Sequence, residues 1–139
     1  MKKLFLTVLT LFLTANFALC TTTSYDKYGT KTGSYKYSSN STITKYDKYG
    51  SKVGSYTQTS SGYTSYDRYG SKTGSYRKTS SGYDAYDKYG SKTGSFKTDT
   101  NGVTTQYDKY GNKVGSFKTD SYGRTTQYDK YGNKVGSFR

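Results

Sequence analysis

The chain has no histidine, glutamate, proline or tryptophan, and its only cysteine is Cys20. Without histidine or glutamate, and with no cysteine in residues 21–139, the usual acid–base and nucleophile–base sets cannot be assembled, so we do not expect an enzyme. A soft-metal site lacks ligands for the same reason, and we expect no cofactor. A disulfide within the chain is excluded as well.

Aliphatic side chains are also scarce beyond residue 20, where leucine is absent. The only valines and isoleucines there are Ile43, Val53, Val103, Val114 and Val135. Such a composition is typical of disordered chains. Against it stand 19 tyrosines, joined by Phe96, Phe117 and Phe138. Since an aromatic side chain buries about 150–250 Å², repeated rings can supply the core that aliphatic residues do not.

Residues 1–20 have the pattern of a secretory signal peptide: Lys2 and Lys3 precede an apolar run from Leu4 to Leu19. The run is short and carries threonines, so we expect no transmembrane span in the mature chain. Two outcomes remain for Cys20, which is either removed by ordinary cleavage or retained as an acylated lipoprotein terminus. The predicted product is a single domain, residues 21–139, that is secreted, periplasmic or at the cell surface.

One eleven-residue pattern, Y-D-[KR]-Y-G-[TSN]-K-[TV]-G-S-[YF], occurs six times after the leader. Its copies begin at Tyr25, Tyr46, Tyr66, Tyr86, Tyr107 and Tyr128, at spacings of 20 or 21 residues. A fixed period of this size indicates a repeat architecture.

Each pattern predicts the tip of a β-hairpin. Aspartate is favoured at the start of a type I turn, and a glycine three residues later provides the left-handed backbone that closes a bulged hairpin. Weaker turns lie between the strong ones, at residues 38–41, 59–62, 79–82, 99–102 and 120–123. Eleven turns separate twelve short strands, and the recurring Gly-Ser pair marks a bulge or a close approach in the longer ones.

The fold class is therefore all-β, with six hairpin repeats of about 20 residues and about twelve short antiparallel strands. Because no atypical capping repeat is visible, we expect closure into a shallow barrel or flower-like ring; an open β-spiral is the alternative. Strand register stays open, since a bulge would change which residues share a face. We expect the core to come from the six tyrosines that begin the copies, together with Tyr35, Tyr56, Tyr76, Phe96, Phe117 and Phe138.

The segments YDKYGN (residues 107–112) and TDSYGRTTQYD (residues 119–129) resemble the tyrosine-aspartate, or RHS-type, repeat of bacterial surface and toxin-delivery proteins. That family builds hairpins that spiral into large β-shells, for which this chain is too short. In size the chain is more similar to the β-flower, a compact ring of hairpins that is itself likened to the tubby-like lipid-binding fold. The resemblance implies a hairpin-repeat module of the bacterial cell envelope.

The formal net charge is +13, and +11 remains once Lys2 and Lys3 leave with the leader. Six of the nine acidic residues are turn aspartates, so the cations are available to partners. The candidate ligand-binding rim consists of one lysine after each strong turn and one tyrosine within it: Lys31, Lys52, Lys72, Lys92, Lys113 and Lys134, with Tyr28, Tyr49, Tyr69, Tyr89, Tyr110 and Tyr131.

Cations beside aromatic rings suit phosphate, sulfate or uronate groups. The predicted function is a small exported binding module for an anionic or amphiphilic envelope ligand, either a lipid or a glycan. Two alternatives remain: the lysines only solvate the tips and block edge pairing, or the protein is a structural or adhesive repeat that forms fibres or surface contacts. A specific nucleic-acid partner is not expected of an exported protein, and the sequence does not indicate the oligomeric state.

Overall fold

The computed structural model describes residues 21–139, which form strands joined by short turns. The strands are β1 (Thr21–Asp26), β2 (Lys31–Tyr37), β3 (Thr42–Asp47), β4 (Lys52–Thr59), β5 (Gly62–Asp67), β6 (Lys72–Thr79), β7 (Gly82–Asp87), β8 (Lys92–Thr98), β9 (Val103–Asp108), β10 (Lys113–Thr119), β11 (Thr125–Asp129) and β12 (Lys134–Phe138). Across this part of the chain no helix is long and apolar enough to cross a membrane. The predicted signal peptide and the predicted lipidation site, Cys20, lie outside the described residues.

Six turns with the same construction join each odd strand to the next even strand; we call them the strong turns, residues 26–29, 47–50, 67–70, 87–90, 108–111 and 129–132. In the first, the Gly29 N–H donates to the Asp26 carbonyl at 3.1 Å. Asp26 Oδ1 accepts from the N–H groups of Tyr28 and Thr30, both at 2.9 Å. Gly29 has φ +85°, a backbone conformation that is unfavourable for residues with a Cβ. The predicted roles of aspartate and glycine in these turns are confirmed.

The weak turns, at the other ends of the strands, are of three kinds. Residues 99–102 and 120–123 copy the strong turns, with Asp99 Oδ1 accepting from the N–H groups of Asn101 and Val103 at 2.9 Å. Residues 59–62 and 79–82 are tighter, since their first and last residues pair directly in the ladder. In residues 38–41 no glycine is present, and Ser41 takes φ 55° instead.

The sheet is closed. Every strand pairs with its neighbours in the chain, and β12 pairs with β1 through Ser24↔Phe138 and Tyr25↔Ser137. The Arg139 N–H donates to the Thr23 carbonyl at 3.0 Å, and the Thr23 N–H donates back at 2.6 Å. The barrel therefore has no exposed strand edge, as expected for closure, and the open β-spiral is not adopted. Because the connections alternate, all six strong turns lie at one end.

Each hairpin contains one β-bulge, and the extra residue immediately precedes the glycine of the repeated Gly-Ser pair. In the first repeat Ser24 pairs with Gly33 and Tyr25 with Lys31, which leaves Thr32 as the extra residue. That glycine lets the even strand approach the next odd strand closely. A Cβ on Gly74, for example, would stand 2.5 Å from the carbonyl oxygen of Tyr86 on the neighbouring strand. Both predicted features, bulge and close approach, are present, and the bulge precedes the Gly-Ser pair.

The predicted core is half right. The second set of aromatic residues is buried inside the barrel: Tyr35, Tyr56, Tyr76, Phe96, Phe117 and Phe138. The tyrosines that begin the copies are only partly buried and lie on the outer wall. Cations stack on Tyr25, Tyr86 and Tyr107 there, as Arg77 does on Tyr86 at 5.2 Å. The bulge is the physical reason, because one extra residue moves the partners across the turn to opposite faces. Ile43, Tyr63, Tyr83 and Ala85 complete the buried apolar cluster.

Candidate functional site

The six predicted rim tyrosines form the tips of the strong turns. They are between 77% and 82% exposed, and each is covered on one face by the cation that precedes it. Lys27 Nζ lies 4.8 Å from the centre of the Tyr28 ring, and Arg68 Cζ lies 4.6 Å from that of Tyr69. The strong-turn end therefore presents six tyrosine–cation pairs that point into solvent.

The six predicted rim lysines lie at the same end, but on the outer wall. Each opens an even strand, is exposed, and pairs in register with an outer-wall tyrosine, as Lys31 does with Tyr25. Lys92 reaches along the wall to Asp84, with Nζ 2.8 Å from Oδ1. One predicted lysine and one predicted tyrosine, Lys113 and Tyr131, line the same groove between the fifth and sixth strong turns. The rim thus has two tiers, tyrosine tips above and lysines below them.

The barrel interior is built in two layers. The deeper one, which we call the aromatic layer, holds Tyr35, Tyr56, Tyr76, Phe96, Phe117 and Phe138 with their inward-facing partners on the odd strands. Nearer the strong turns lies the mouth layer, in which six glycines pair with the residues that precede the outer-wall tyrosines. These pairs are Ser24–Gly33, Lys45–Gly54, Ser65–Gly74, Ala85–Gly94, Gln106–Gly115 and Gln127–Gly136.

Because half of the mouth layer is glycine, this end of the barrel is not filled. An open cavity of about 710 Å³ occupies it, which we call the mouth cavity. Ser65, Gly74, Ala85 and Gln106 line its wall, Tyr76 lies beneath, and Tyr110 of the fifth tip borders its opening. Pockets for small molecules typically enclose about 300–1,000 Å³, so the cavity is of a size to hold one.

One residue of the mouth layer is charged: Lys45, in a position that is serine, alanine or glutamine in the other five copies. Its Nζ lies 5.9 Å from the centre of the Tyr35 ring. Burial lowers the pKa of Lys45 to about 8, because desolvation disfavours the charged form. At neutral pH the side chain still carries its charge, and it does so inside the barrel wall.

The tyrosine hydroxyls below the mouth layer stay neutral. Desolvation raises the pKa of Tyr76 to about 12, and it raises the pKa of Tyr63 to about 12 with help from the neighbouring Tyr83. The rings of Tyr63 and Tyr83 are 5.9 Å apart and tilted by 47°, a favourable arrangement for aromatic pairs. The aromatic layer beneath the mouth layer is therefore uncharged. The charged residues that line the cavity itself are Asp87, Asp108 and Lys109, and Lys45 is not among its lining residues.

Lys45 and the mouth cavity were not predicted from the sequence. The signal was present in the column that precedes the repeat tyrosine, where Lys45 is the one charged residue among the six copies. The inward direction of that column depends on the bulge, and the strand register had been left open. Within residues 21–139 there is no cluster of three or more acidic or cysteine side chains that could hold a metal ion.

No protein-family model matches this chain, and no curated protein sequence matches it significantly. The fold is thus established as a closed ring of β-hairpin repeats from its own geometry.

Proposed function

We propose that this chain is an exported, non-enzymatic binding module of the bacterial cell envelope, which holds an anionic or amphiphilic ligand, a lipid or a glycan, at its strong-turn end. The observation that carries the proposal is that the open mouth cavity lies at the same end of the barrel as six repeated sets of cations and exposed tyrosines. One surface lysine is worth about 0–1 kcal/mol and is screened by salt. Six copies on one rim give avidity on a polyanionic surface.

The motif and the ring of hairpins also support kinship with the tyrosine-aspartate repeat in its compact, β-flower form. That kinship is part of the proposal, and it favours an envelope role over a cytoplasmic one. Export itself rests on Lys2, Lys3 and the apolar run that follows. Mass spectrometry of the protein from its host should find either a terminus at Thr21 or an acylated Cys20, and a full-length cytoplasmic product would contradict export.

Binding is tested by co-sedimentation with vesicles of anionic phosphatidylglycerol or neutral phosphatidylcholine, and with cell-wall glycans, at low and high salt. We expect a preference for the anionic particles that weakens with salt. It should fall when the six rim lysines are changed to glutamine together: Lys31, Lys52, Lys72, Lys92, Lys113 and Lys134.

A matched control removes the same charge from the rest of the barrel, where six exposed cations are changed to glutamine: Lys36, Arg77, Lys78, Lys97, Lys118 and Arg124. This control should retain more binding than the rim variant. Equal losses in the two variants would reduce the effect to net charge, and no binding to any particle would refute the proposal.

A structural or adhesive role is the second candidate. Tyr122, at 92% exposure, joins the six tip tyrosines as a strongly exposed aromatic residue, and such residues adhere to many surfaces. Solution size across a range of protein concentrations separates the two functions. A compact particle of constant size favours the binding module, whereas fibres that grow with concentration favour the structural role.

A further inference from the structure

The mouth cavity exists because the strand junctions exclude side chains. At the six glycines of the mouth layer, a Cβ would stand between 2.4 and 2.8 Å from a carbonyl oxygen of the next strand, closer than real Cβ atoms come. These positions therefore require glycine, and half of the mouth layer carries no side chain. The residues that remain around the cavity decide which ligand it can hold.

The wall of the cavity is rich in hydrogen-bonding groups. Ser65, Thr73, Thr93 and Gln106 line it, and Thr73 Oγ1 donates to Ser65 Oγ at 2.9 Å. A hydroxyl that donates one hydrogen bond can still accept others, and a glutamine amide both donates and accepts. A ligand with several hydroxyl groups can satisfy this wall, whereas a long acyl chain would leave its polar groups unpaired.

Two half-buried carboxylates, Asp87 and Asp108, add acceptors to the lining, and the strong turns fix their positions. Asp87 Oδ1 accepts from the N–H groups of Tyr89 and Ser91, both at 2.9 Å. Asp108 is held in the same way, and its Oδ2 also accepts from Asn112 Nδ2 at 3.0 Å. Because a carboxylate has about four acceptor positions, both can accept a further hydrogen bond without leaving their turns.

The charges around the cavity favour a ligand that carries none. Asp87 and Asp108 repel a carboxylate or phosphate group that enters. They outnumber Lys109, the cation of the lining, whose Nζ lies 4.8 Å from the centre of the Tyr110 ring. The rim cations at the same end of the barrel disfavour the approach of a positively charged ligand. An uncharged polar ligand avoids both penalties.

Aromatic rings lie at the bottom and at the opening of the cavity. Tyr76 is at the bottom, with its ring 6.5 Å from that of Tyr56, and Tyr110, at 77% exposure, borders the opening. The negative face of such a ring attracts C–H groups, which carry a small positive charge. A pyranose presents C–H groups on its flat face and hydroxyl groups around its edge, so it matches the rings and the polar wall together.

We infer that the mouth cavity binds an uncharged pyranose unit, with its hydroxyl groups on the carboxylates, hydroxyls and amide of the wall and its flat face on a tyrosine ring. The inference rests on the proposed function and specifies the ligand as a glycan, whose anionic groups are held by the rim while the cavity receives an uncharged unit. The shared chemistry is an uncharged hydroxylated ring, whether the sugar is free or forms the end of a polymer.

The test is a calorimetric titration of the whole mature protein with three methyl glycosides, those of glucose, galactose and mannose. We expect saturable one-to-one binding of at least one of them. The matching uronate, which adds a negative charge, and the matching open-chain alditol, which has no flat face, should bind at least about tenfold more weakly, the factor expected for about one hydrogen bond. High salt should leave glycoside binding unchanged, because the ligand is uncharged, whereas it weakens binding at the rim.

Two glutamines report where the sugar binds. Gln106 and Gln127 occupy equivalent positions of the mouth layer, and of the two it is Gln106 that lines the cavity. In the unsubstituted protein, the side-chain amide resonances of Gln106 should shift on titration with the glycoside that binds, while those of Gln127 stay in place. Because this signal needs no substitution, a folding defect cannot imitate it.

The turn aspartates give a matched mutational test. Asp87→Asn combined with Asp108→Asn removes both charges from the cavity and keeps a side chain that can accept the same turn hydrogen bonds. This variant should bind the glycoside about tenfold more weakly and should discriminate less against the uronate. Asp26→Asn combined with Asp47→Asn makes the same change in two strong turns outside the cavity lining and should retain both properties.

Four results would overturn the inference: no saturable binding of any glycoside, equal shifts at Gln106 and Gln127, a uronate that binds as tightly as its glycoside, or unchanged binding in the Asp87 and Asp108 variant. A disaccharide that binds more tightly than its methyl glycoside identifies a glycan end as the source, and equal affinity identifies the free sugar.

The proposed function fails differently, through loss of all binding to vesicles and cell-wall glycans. The six-lysine rim variant separates the two, since it should lose its binding to anionic particles and keep the glycoside site. A protein that sediments with anionic particles through its rim lysines, yet ignores all three glycosides, would retain the proposed function without this site.

Discussion

At the scale of single residues, the glycines fall into two classes with different physical requirements. Gly111 closes a strong turn at φ +87° and has no atom within 4 Å of its missing Cβ, whereas Gly74 allows the carbonyl of Tyr86 to approach. The first class is constrained by backbone conformation and the second by space.

Substitutions at these two glycines should therefore behave differently. Gly111→Ala places an L residue in the left-handed region and should cost about 1 kcal/mol of unfolding free energy. Gly74→Ala forces β6 and β7 apart and should cost about 2 kcal/mol or more. Urea denaturation measures both. Asparagine, which tolerates the left-handed region, should be milder than alanine at Gly111 and no milder at Gly74; the same rank order at both sites would contradict this assignment.

Lys45 predicts a pH dependence of stability. Its pKa is lowered from 10.5 to about 8 in the folded state, so above pH 8 the unfolded chain binds more protons than the folded one. Stability should then rise with pH. The rise ends near pH 10, where buried tyrosines with raised pKa values, such as Tyr63 and Tyr76 at about 12, begin to favour unfolding as the unfolded chain loses its phenolic protons.

Thermal unfolding between pH 7 and 10 tests this dependence. The parent protein should gain stability between pH 8 and 10, and Lys45→Met should flatten that part of the profile. Lys36→Met serves as the matched control and should retain the gain. A flat profile in the parent, or an unchanged slope in Lys45→Met, would show that Lys45 is more hydrated than its position in the wall implies.

At the scale of the element, the hairpin was the most predictable part of the molecule. Asp26 and Gly29 have local roles, set by hydrogen bonds two to four residues away, so the turns and the twelve strands could be inferred from the period alone. The inward or outward direction of Tyr25 could not, because it depends on a single extra residue, Thr32, in the partner strand. Lys45 was missed for the same reason, since the face it occupies depends on the bulge.

The first weak turn offers an element-level prediction, because Ser41 has the left-handed conformation that glycine takes in residues 99–102 and 120–123. Ser41→Gly removes the left-handed penalty of about 1–2 kcal/mol and loses about 0.4–1 kcal/mol through the more flexible unfolded chain. We expect a net stabilisation of about 0.5 kcal/mol, seen as a higher urea midpoint. Gly102→Ser should lower the midpoint; a loss of stability in Ser41→Gly would mean that the serine side chain contributes more than its backbone costs.

At the scale of the whole molecule, closure explains how a chain with few aliphatic residues folds. Each hairpin alone would expose its rings and both of its edges, and isolated hairpins are marginal at best. In the closed ring the aromatic layer is shared by all twelve strands, and every edge is paired. Stability should therefore belong to the ring as a unit, and the junction between β12 and β1 should be equivalent to the others.

That equivalence predicts that the ring can be opened elsewhere. Lys118 pairs with Thr126 as Arg139 bonds with Thr23, so a five-residue linker copying residues 119–123, Thr-Asp-Ser-Tyr-Gly, should join Arg139 to Thr21 as an ordinary weak turn. With new termini between Ser80 and Ser81, both exposed, one weak turn is exchanged for another. We expect a permutant of residues 21–139 that folds with an unfolding midpoint within a few degrees of the parent. In contrast, the same cut without the linker leaves two fragments, held only by the β6–β7 and β12–β1 ladders, and its midpoint should fall and depend on concentration. A permutant that stays unfolded would show that the β12–β1 junction is a special start or end of the ring.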